Sequence, residues 1–265
     1  MNNSIAKYVI LILAVGVLLP ALAIASTITT ANDVGADTHI TRSDPNSNFG
    51  SEDHFSIKND SGTGDVDRKG YIRFDVGCLS NAISSATLSL TFVTAAAGSA
   101  NTNTFNVFGL SNEDGDLWSE SDINWSNAPA NNQSSGTGFT SDAVFLGTFT
   151  ITLSQLGDSI PFTSPQLIEF LNNDTNGLVT LMLSRQSPAS LHNQAFASKE
   201  NLSFEAPSLT LIECPADITG DDLVNVSDLL ILLGSWGIDF GDITCDGTTN
   251  VTDLLALLGA WGLCP

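Results

Sequence analysis

Gly70-Tyr71-Ile72-Arg73-Phe74-Asp75-Val76 is the stretch on which the fold turns. Ile72, Phe74 and Val76 fall on one face of an extended chain, and Tyr71, Arg73 and Asp75 fall on the other. An apolar face alternating with a polar one over seven residues, rich in aromatic and β-branched types, predicts a strand with one buried side. The same period recurs outward from it. Ala86-Thr87-Leu88-Ser89-Leu90-Thr91-Phe92 follows, then Phe105 to Phe108, Phe145 to Ile151, Leu178 to Leu183 and Ser208 to Ile212, with Gly, Asn, Ser and Asp clusters between them. Many short antiparallel strands separated by polar turns predict a β-sandwich or jelly roll over residues 26–212. One helix is expected inside it, from Ser164 to Asn172. Ser164 suits the N-cap, Pro165 the first turn, and Leu167, Ile168 and Leu171 an apolar face.

The segment Asn101 to Gly138 is long, polar and contains Trp118 and Trp125. Two readings stand open for these tryptophans: exposed rings stacking on a sugar, or plugs at the end of the sandwich core.

The chain of 265 residues has room for a medium domain and a small one, and its 29 acids against 8 bases leave no basic footprint for nucleic acid. Lys7 is the only charge before Asp33, an apolar run spans Tyr8 to Leu19, and Ala23-Ile24-Ala25 precedes Ser26. Residues 1–25 therefore read as an export signal cleaved before Ser26. A retained anchor is the other reading, but the run falls short of the ~20 residues that cross a bilayer. No other segment is apolar and long enough to span a membrane. Export makes Cys78, Cys214, Cys245 and Cys264 disulfide candidates, and their spacing alone leaves all three pairings open.

Four of the seven bases after Lys7 lie close together: Lys58, Arg68, Lys69 and Arg73. Lys58 and Arg73 alternate away from Phe55 and Ile57 and from Ile72 and Phe74, so a shared solvent face is expected. Such a face suits a carboxylate-bearing polymer, with Arg binding in bidentate fashion and Lys as a point charge. Ordinary surface ion pairs with Asp65, Asp67 and Asp75 are the competing reading.

Residues 213–265 hold an internal repeat with an offset of 25 residues. Asp217 to Asp228 recurs as Asp242 to Asp253, each copy running into a Leu-rich helix that ends in Trp-Gly. Oxygen-bearing side chains stand at loop positions 1, 3, 5, 9 and 12. They are Asp217, Thr219, Asp221, Asn225 and Asp228, then Asp242, Thr244, Asp246, Asn250 and Asp253, with the carbonyls of Leu223 and Thr248 at position 7. That is the spacing of a calcium-wrapping loop, so two Ca²⁺ ions are expected. Asp-capped helices after polar turns would be the metal-free alternative. Position 6 of the first loop is Asp222, where a sharp turn favours Gly. Nine acids and no Lys or Arg from Glu213 to Pro265 leave the segment self-repelling without a cation. The apolar residues Leu229, Leu230, Leu232, Leu233 and Trp236 wrap most of the helix. Two short helices cannot hide them on each other, which implies a second surface, the sandwich or a partner protein.

Two resemblances follow from these residues. Ala36-Asp37-Thr38-His39-Ile40, Pro45 to Gly50, Arg68 to Asp75, Ser85 to Leu88, Asn124 to Pro129, Ser198-Lys199-Glu200 and Pro207-Ser208-Leu209 resemble, in order and spacing, the DNRLRE domains and the similar family 96 carbohydrate-binding modules. The resemblance implies a jelly roll that binds acidic polysaccharide such as alginate. The duplicated loop and helix resembles a type I dockerin, which implies a cohesin-like protein partner. The Leu-Leu-Gly-x-Trp-Gly helix ends depart from cellulosomal dockerins, which carry basic residues there. Borders at Cys214 and Cys264 look like cysteine-flanked bacterial variants and favour a clasp between these two.

His39, His54 and His192 are too scattered for a metal cage or a triad, and no nucleophile or phosphate-loop motif is present. The expectation is therefore a secreted, non-catalytic polysaccharide-binding protein. A structural or adhesive surface protein, with the sandwich as a spacer, is the alternative.

Overall fold

A computed structural model describes residues 24–60, 66–77, 83–96, 98–187 and 192–264. The proposed signal segment falls almost wholly outside them, as does Cys78. The strands in chain order are β1 (Ile24–Thr29), β2 (Ala36–Thr41), β3 (His54–Ile57), β4 (Arg68–Asp75), β5 (Ile83–Ala95), β6 (Thr102–Leu110) and β7 (Ala143–Thr152). They continue with β8 (Ser159–Phe162), helix α1 (Pro165–Asn172), β9 (Leu178–Ser187), β10 (Gln194–Ala197) and β11 (Ser208–Glu213).

These strands form two antiparallel sheets. One runs β1-β11-β5-β10-β3, with β8 also on β5, and the other runs β2-β4-β9-β6-β7. The β5 strand is the hub of the first, pairing with β11, β10 and β8 along different stretches. The alternation read from the sequence fills the space between the sheets. Ile72 and Phe74 of β4 meet Leu88, Leu90 and Phe92 of β5, with Leu181 and Leu183 of β9 and Leu209 and Leu211 of β11. Phe196 sits among Phe55, Phe92, Phe105 and Phe149 at centroid distances of 5.8, 6.0, 5.5 and 5.9 Å. Tilted and edge-on contacts at such distances suit ring quadrupoles. Helix α1 starts as expected, with Ser164 Oγ accepting from the Leu167 amide, and buries Leu167 and Leu171 in the same core.

The outer face of the second sheet is not solvent. Residues of the 111–142 segment lie over it and build a second apolar layer from Ala36, Ile40, Tyr71, Leu110, Trp118, Ile123, Trp125 and Met182. Tyr71, which alternation places on the polar side of β4, is fully buried, and its hydroxyl donates to the Pro129 carbonyl at 2.9 Å. Trp118 donates to Thr180 Oγ1 of β9 at 2.9 Å. Gly136 is required where this cover meets the sheet, because a Cβ there would come within 2.0 Å of Asp67 Oδ2.

After β11 the chain passes directly into a small C-terminal unit: strand β12 (Leu223–Val224), helices α2 (Val226–Gly234) and α3 (Val251–Gly259), and strand β13 (Gly262–Leu263), which pairs with β12. Val224, Leu232 and Leu257 are its largest fully buried apolar side chains. A disulfide joins Cys214 to Cys264 across 50 residues and ties the beginning of the unit to its end. No helix among the described residues is long and apolar enough to cross a membrane.

Candidate functional site

Lys58 and Arg73, expected to share a solvent face, do not do so, because Lys58 pairs with Arg68 across an antiparallel bridge and takes Arg68's side of the sheet. Arg68 and Arg73 lie five residues apart on β4 and so face opposite sides of the sheet. Lys69 is completely buried beneath the 111–142 cover. Its ammonium donates to Asn131 Oδ1 at 2.8 Å, the Gly138 carbonyl at 2.5 Å and the Asn132 carbonyl at 3.3 Å. It also lies 4.6 Å from the Trp125 ring centroid and 4.9 Å from that of Phe139. Burial pushes this amine down to about 7. The Arg73 guanidinium is spent on the main chain, donating to the carbonyls of Val34, Asp116 and Trp118, and it stacks on the Trp118 ring. Arg68 and Lys58 are half-buried neighbours joined by a backbone bridge. The physical reason for the correction is the cover layer: a face that alternates polar is open only if nothing folds over it.

Asp65 lies outside the described residues, and among the described ones ion pairing follows a different pattern from the one expected. Asp67 partners Arg42 at 3.5 Å rather than Lys58, Arg68, Lys69 or Arg73, and Lys199 pairs with Glu120 at 2.7 Å. Trp118 and Trp125 are 9% and 3% exposed, so neither ring is a sugar platform. They belong to the second apolar layer rather than to the end of the sandwich core.

Around Lys199 lies a compact polar cluster. Asp37 accepts from the Lys199 amide, its own amide donates to Glu120, and the Lys199 ammonium also reaches the Gly35 carbonyl. Burial pushes the Asp37 carboxyl up to about 7, aided by the nearby charges of Glu200 and Glu120. His39, two residues along, is driven down to about 3 by burial and by the Arg68 charge. With an internal ammonium already among its acids, the cluster reads as structural.

In the C-terminal unit the two loops are built alike. Asp228 Oδ1 accepts from the Thr219 amide and hydroxyl, and Asp228 Oδ2 from the Asn225 amide. Asp253 repeats all three bonds with Thr244 and Asn250. Asp217 accepts from the amides of Gly220, Asp221 and Asp222, and Asp242 from those of Asp246 and Gly247. Asn225 and Asn250 cap α2 and α3. These bonds aim carboxylates inward: Asp217, Asp221 and Asp228 can each bring an oxygen within 4.8 Å of the others, as can Asp242, Asp246 and Asp253. Burial opposes charge on Asp228, but the amide and hydroxyl donors of Asn225 and Thr219 outweigh it and hold the group below the usual carboxylate range. Three converging anionic oxygens per loop and no Lys, Arg or His in the unit are a donor set that fits a hard divalent cation. Thr219, Asn225 and the carbonyl of Leu223 would complete the first set, and Thr244, Asn250 and the carbonyl of Thr248 the second.

Each loop turns through two left-handed residues. In the first they are Gly220 (φ 71°) and Asp222 (φ 63°), and in the second Cys245 (φ 58°) and Gly247 (φ 93°). Each loop thus has glycine at one of the two strained positions and a side chain at the other.

The helices expose a repeated apolar face. Val226 and Val251 are 57% and 56% exposed, Leu230 and Leu255 both 64%, Leu233 and Leu258 47% and 49%, and Trp236 and Trp261 49% and 40%. The second surface implied by the sequence is therefore not the sandwich, and this face stands open.

A third feature had no signature in the sequence. A cleft of about 270 Å³ is lined by the apolar Leu110, Val144 and Phe170 and by the acids Glu113, Asp116, Glu169 and Asp174. Its acids come from two segments more than fifty residues apart in the chain. The packing of α1 on β5 and β7, with the bonds from Thr175 and Asn176 to Glu113, brings them together.

Residues 28–146 match the model of carbohydrate-binding module family 96. The matched span runs from β1 into β7 and stops short of Ser198-Lys199-Glu200 and of the C-terminal unit. No curated protein matches the chain.

Proposed function

We propose that this chain is an exported, non-catalytic glycan-binding protein that is held in place by a calcium-folded, dockerin-like C-terminal unit. The observation that carries the first half is the family-96 match over residues 28–146, seated on a two-sheet antiparallel sandwich. Members of a carbohydrate-binding module family act by adhesion and are in themselves non-catalytic. An alginate-like uronate polymer remains the expectation from family resemblance alone, since Lys69 and Arg73 are already committed to internal oxygens.

The second half rests on the duplicated carboxylate loops and the open apolar face of α2 and α3. Two Ca²⁺ ions, one per loop, neutralise the inward carboxylates and tie each loop to the start of its helix. The apolar ridge Leu230, Leu233, Leu255 and Leu258 then docks on a cohesin-like surface protein, as amphipathic helices dock in hydrophobic grooves. Basic groups on the partner would complement a unit that carries none.

The test is affinity electrophoresis of the full chain through gels holding alginate, chitin-derived, cellulosic and xylan polymers, beside a calcium titration with and without chelator. Retardation by at least one glycan is expected with or without chelator. A chain retarded by none of them, or one whose C-terminal unit takes up no calcium, removes the corresponding half of the reading.

A further inference from the structure

The acidic cleft between α1 and the Glu113–Leu117 turn is where the sandwich offers convergent polar groups beside apolar ones. Leu110, Val144 and Phe170 supply the apolar lining, and Glu113, Asp116, Glu169 and Asp174 supply the carboxylates. No Lys or Arg lines it. The Arg73 guanidinium outside it bonds the main-chain carbonyls of Val34, Asp116 and Trp118.

Asp116 is the telling member. It is only 2% exposed, yet its Oδ1 has no hydrogen-bond partner. An orphaned carboxylate oxygen in a buried position is costly, and native folds leave few of them unpaired. Burial pushes the Asp116 carboxyl up to about 6 and the neighbouring charge of Asp174 adds to the rise, while the Thr180 hydroxyl and amide and the Arg73 charge oppose it in part. Asp174 itself is raised by burial and by the charge of Glu113. A ligand bringing positive charge and several N–H donors would relieve all of these together.

A divalent ion is a poor fit. Among the described residues, the groups of acids able to bring their oxygens within 4.8 Å of one another do not include this set. At about 270 Å³ the cleft is just below the usual range for small-molecule pockets, room for a single small organic unit. Phe170, half-buried beside Gly109, lines the cleft as an aromatic partner for C–H groups or a cation, while Ser111, Gln166 and Asn173 offer partners for hydroxyls.

From this arrangement we infer that the cleft binds a cationic amino-sugar unit, with its ammonium at Asp116 and its ring against Phe170. The inference rests on the glycan-binding reading and names the sugar class. It runs opposite in charge to the uronate polymer, and the net charge of −21 would steer a polycation toward the chain rather than away.

The experiment is isothermal titration calorimetry of the full chain with three oligomers of equal length: glucosamine, N-acetylglucosamine and a uronate. Glucosamine oligomer is expected to bind at least about tenfold more tightly than the acetylated one, a difference of about 1.4 kcal/mol. Glu169→Gln, at an exposed position, is expected to lose about tenfold, and Asp116→Asn more. Because Glu169 is one charge among a net −21, an unchanged affinity in Glu169→Gln would mean diffuse attraction and overturn the proposal. Equal or tighter binding of the acetylated or uronate oligomer also overturns it, while leaving glycan binding intact. Should none of the three bind, and the gel screen also fail, both readings fall together.

Discussion

Removing the Cys214–Cys264 clasp tests how the C-terminal unit is held, and the size of the effect follows from the structure. A bridge across 50 residues removes loop entropy from the unfolded chain worth about 4 kcal/mol. The unit has only Val224, Leu232 and Leu257 as sizeable buried side chains, a core too small to fold a segment of some fifty residues unaided. Two further fasteners, the calcium loops, are therefore required by the reading. Each site held at a hundred times its Kd in free ion adds about 2.7 kcal/mol, and two sites add about 5 kcal/mol. Calcium should thus compensate for the missing disulfide. The variant is Cys214→Ser with Cys264→Ser, which leaves no stranded thiol of the pair. The assay is limited proteolysis read by mass spectrometry, with helical circular dichroism beside it, each in calcium and in chelator. In calcium the double variant keeps protected peptides from Val226–Gly234 and Val251–Gly259; in chelator it loses them. The wild type in chelator falls between. Peptides from the sandwich serve as the internal control. If the variant in chelator resists protease as well as the intact protein in calcium, the calcium reading is wrong.

Three further outcomes are expected. Lys69→Met strands Asn131 Oδ1 and the Gly138 carbonyl and should lower stability in urea by about 2–4 kcal/mol with a red shift of tryptophan fluorescence; an unchanged midpoint would return Lys69 to the list of glycan ligands. Burial raises Asp37 from 3.8 to about 7, so the native state keeps a proton that the unfolded chain releases. The stability this contributes is complete below pH 3.8 and is lost as pH climbs to about 7, by up to about 4 kcal/mol. Asp37→Asn should flatten that decline in urea midpoints, and a decline of undiminished slope would count against it. Asp222→Gly relieves a left-handed turn at φ 63° and should raise the calcium-loaded melting stability of the C-terminal unit by about 0.5–1 kcal/mol, checked by calorimetry.

The elements legible in the sequence were those whose signals are local. Alternation at Ile72, Phe74 and Val76 named the inward face of β4, and Ser164 with Pro165 named the start of α1. The 25-residue repeat placed equivalent carboxylates in equivalent loop positions, and the structure gives both loops the same bonds. What alternation cannot say is whether the polar face is wet. Tyr71 and Lys69 carry polar tips that find acceptors in Pro129, Asn131 and Gly138, about sixty residues on. Nothing at positions 69 or 71 announces those partners. The cleft acids escaped notice for the same reason: Asp116 and Glu169 have no fixed spacing, and the packing of α1 on β5 and β7 brings them to one cleft.

The closed ends of the C-terminal unit carry a mechanical consequence. A pull on Leu255 of α3 would, through the main chain alone, draw out some forty residues before it reached Cys214, roughly 130–140 Å of slack. Through the Cys264 bond the same pull travels nine residues and arrives at Cys214 with little give. From there it enters β11, which six residue pairs bind to β1 on one edge while β5 grips the other. Tension along a strand flanked on both sides must shear its ladders together rather than unzip them one at a time. The sandwich is thus loaded in its stiffest direction, and reduction of one bond would convert a taut coupling into an extensible one.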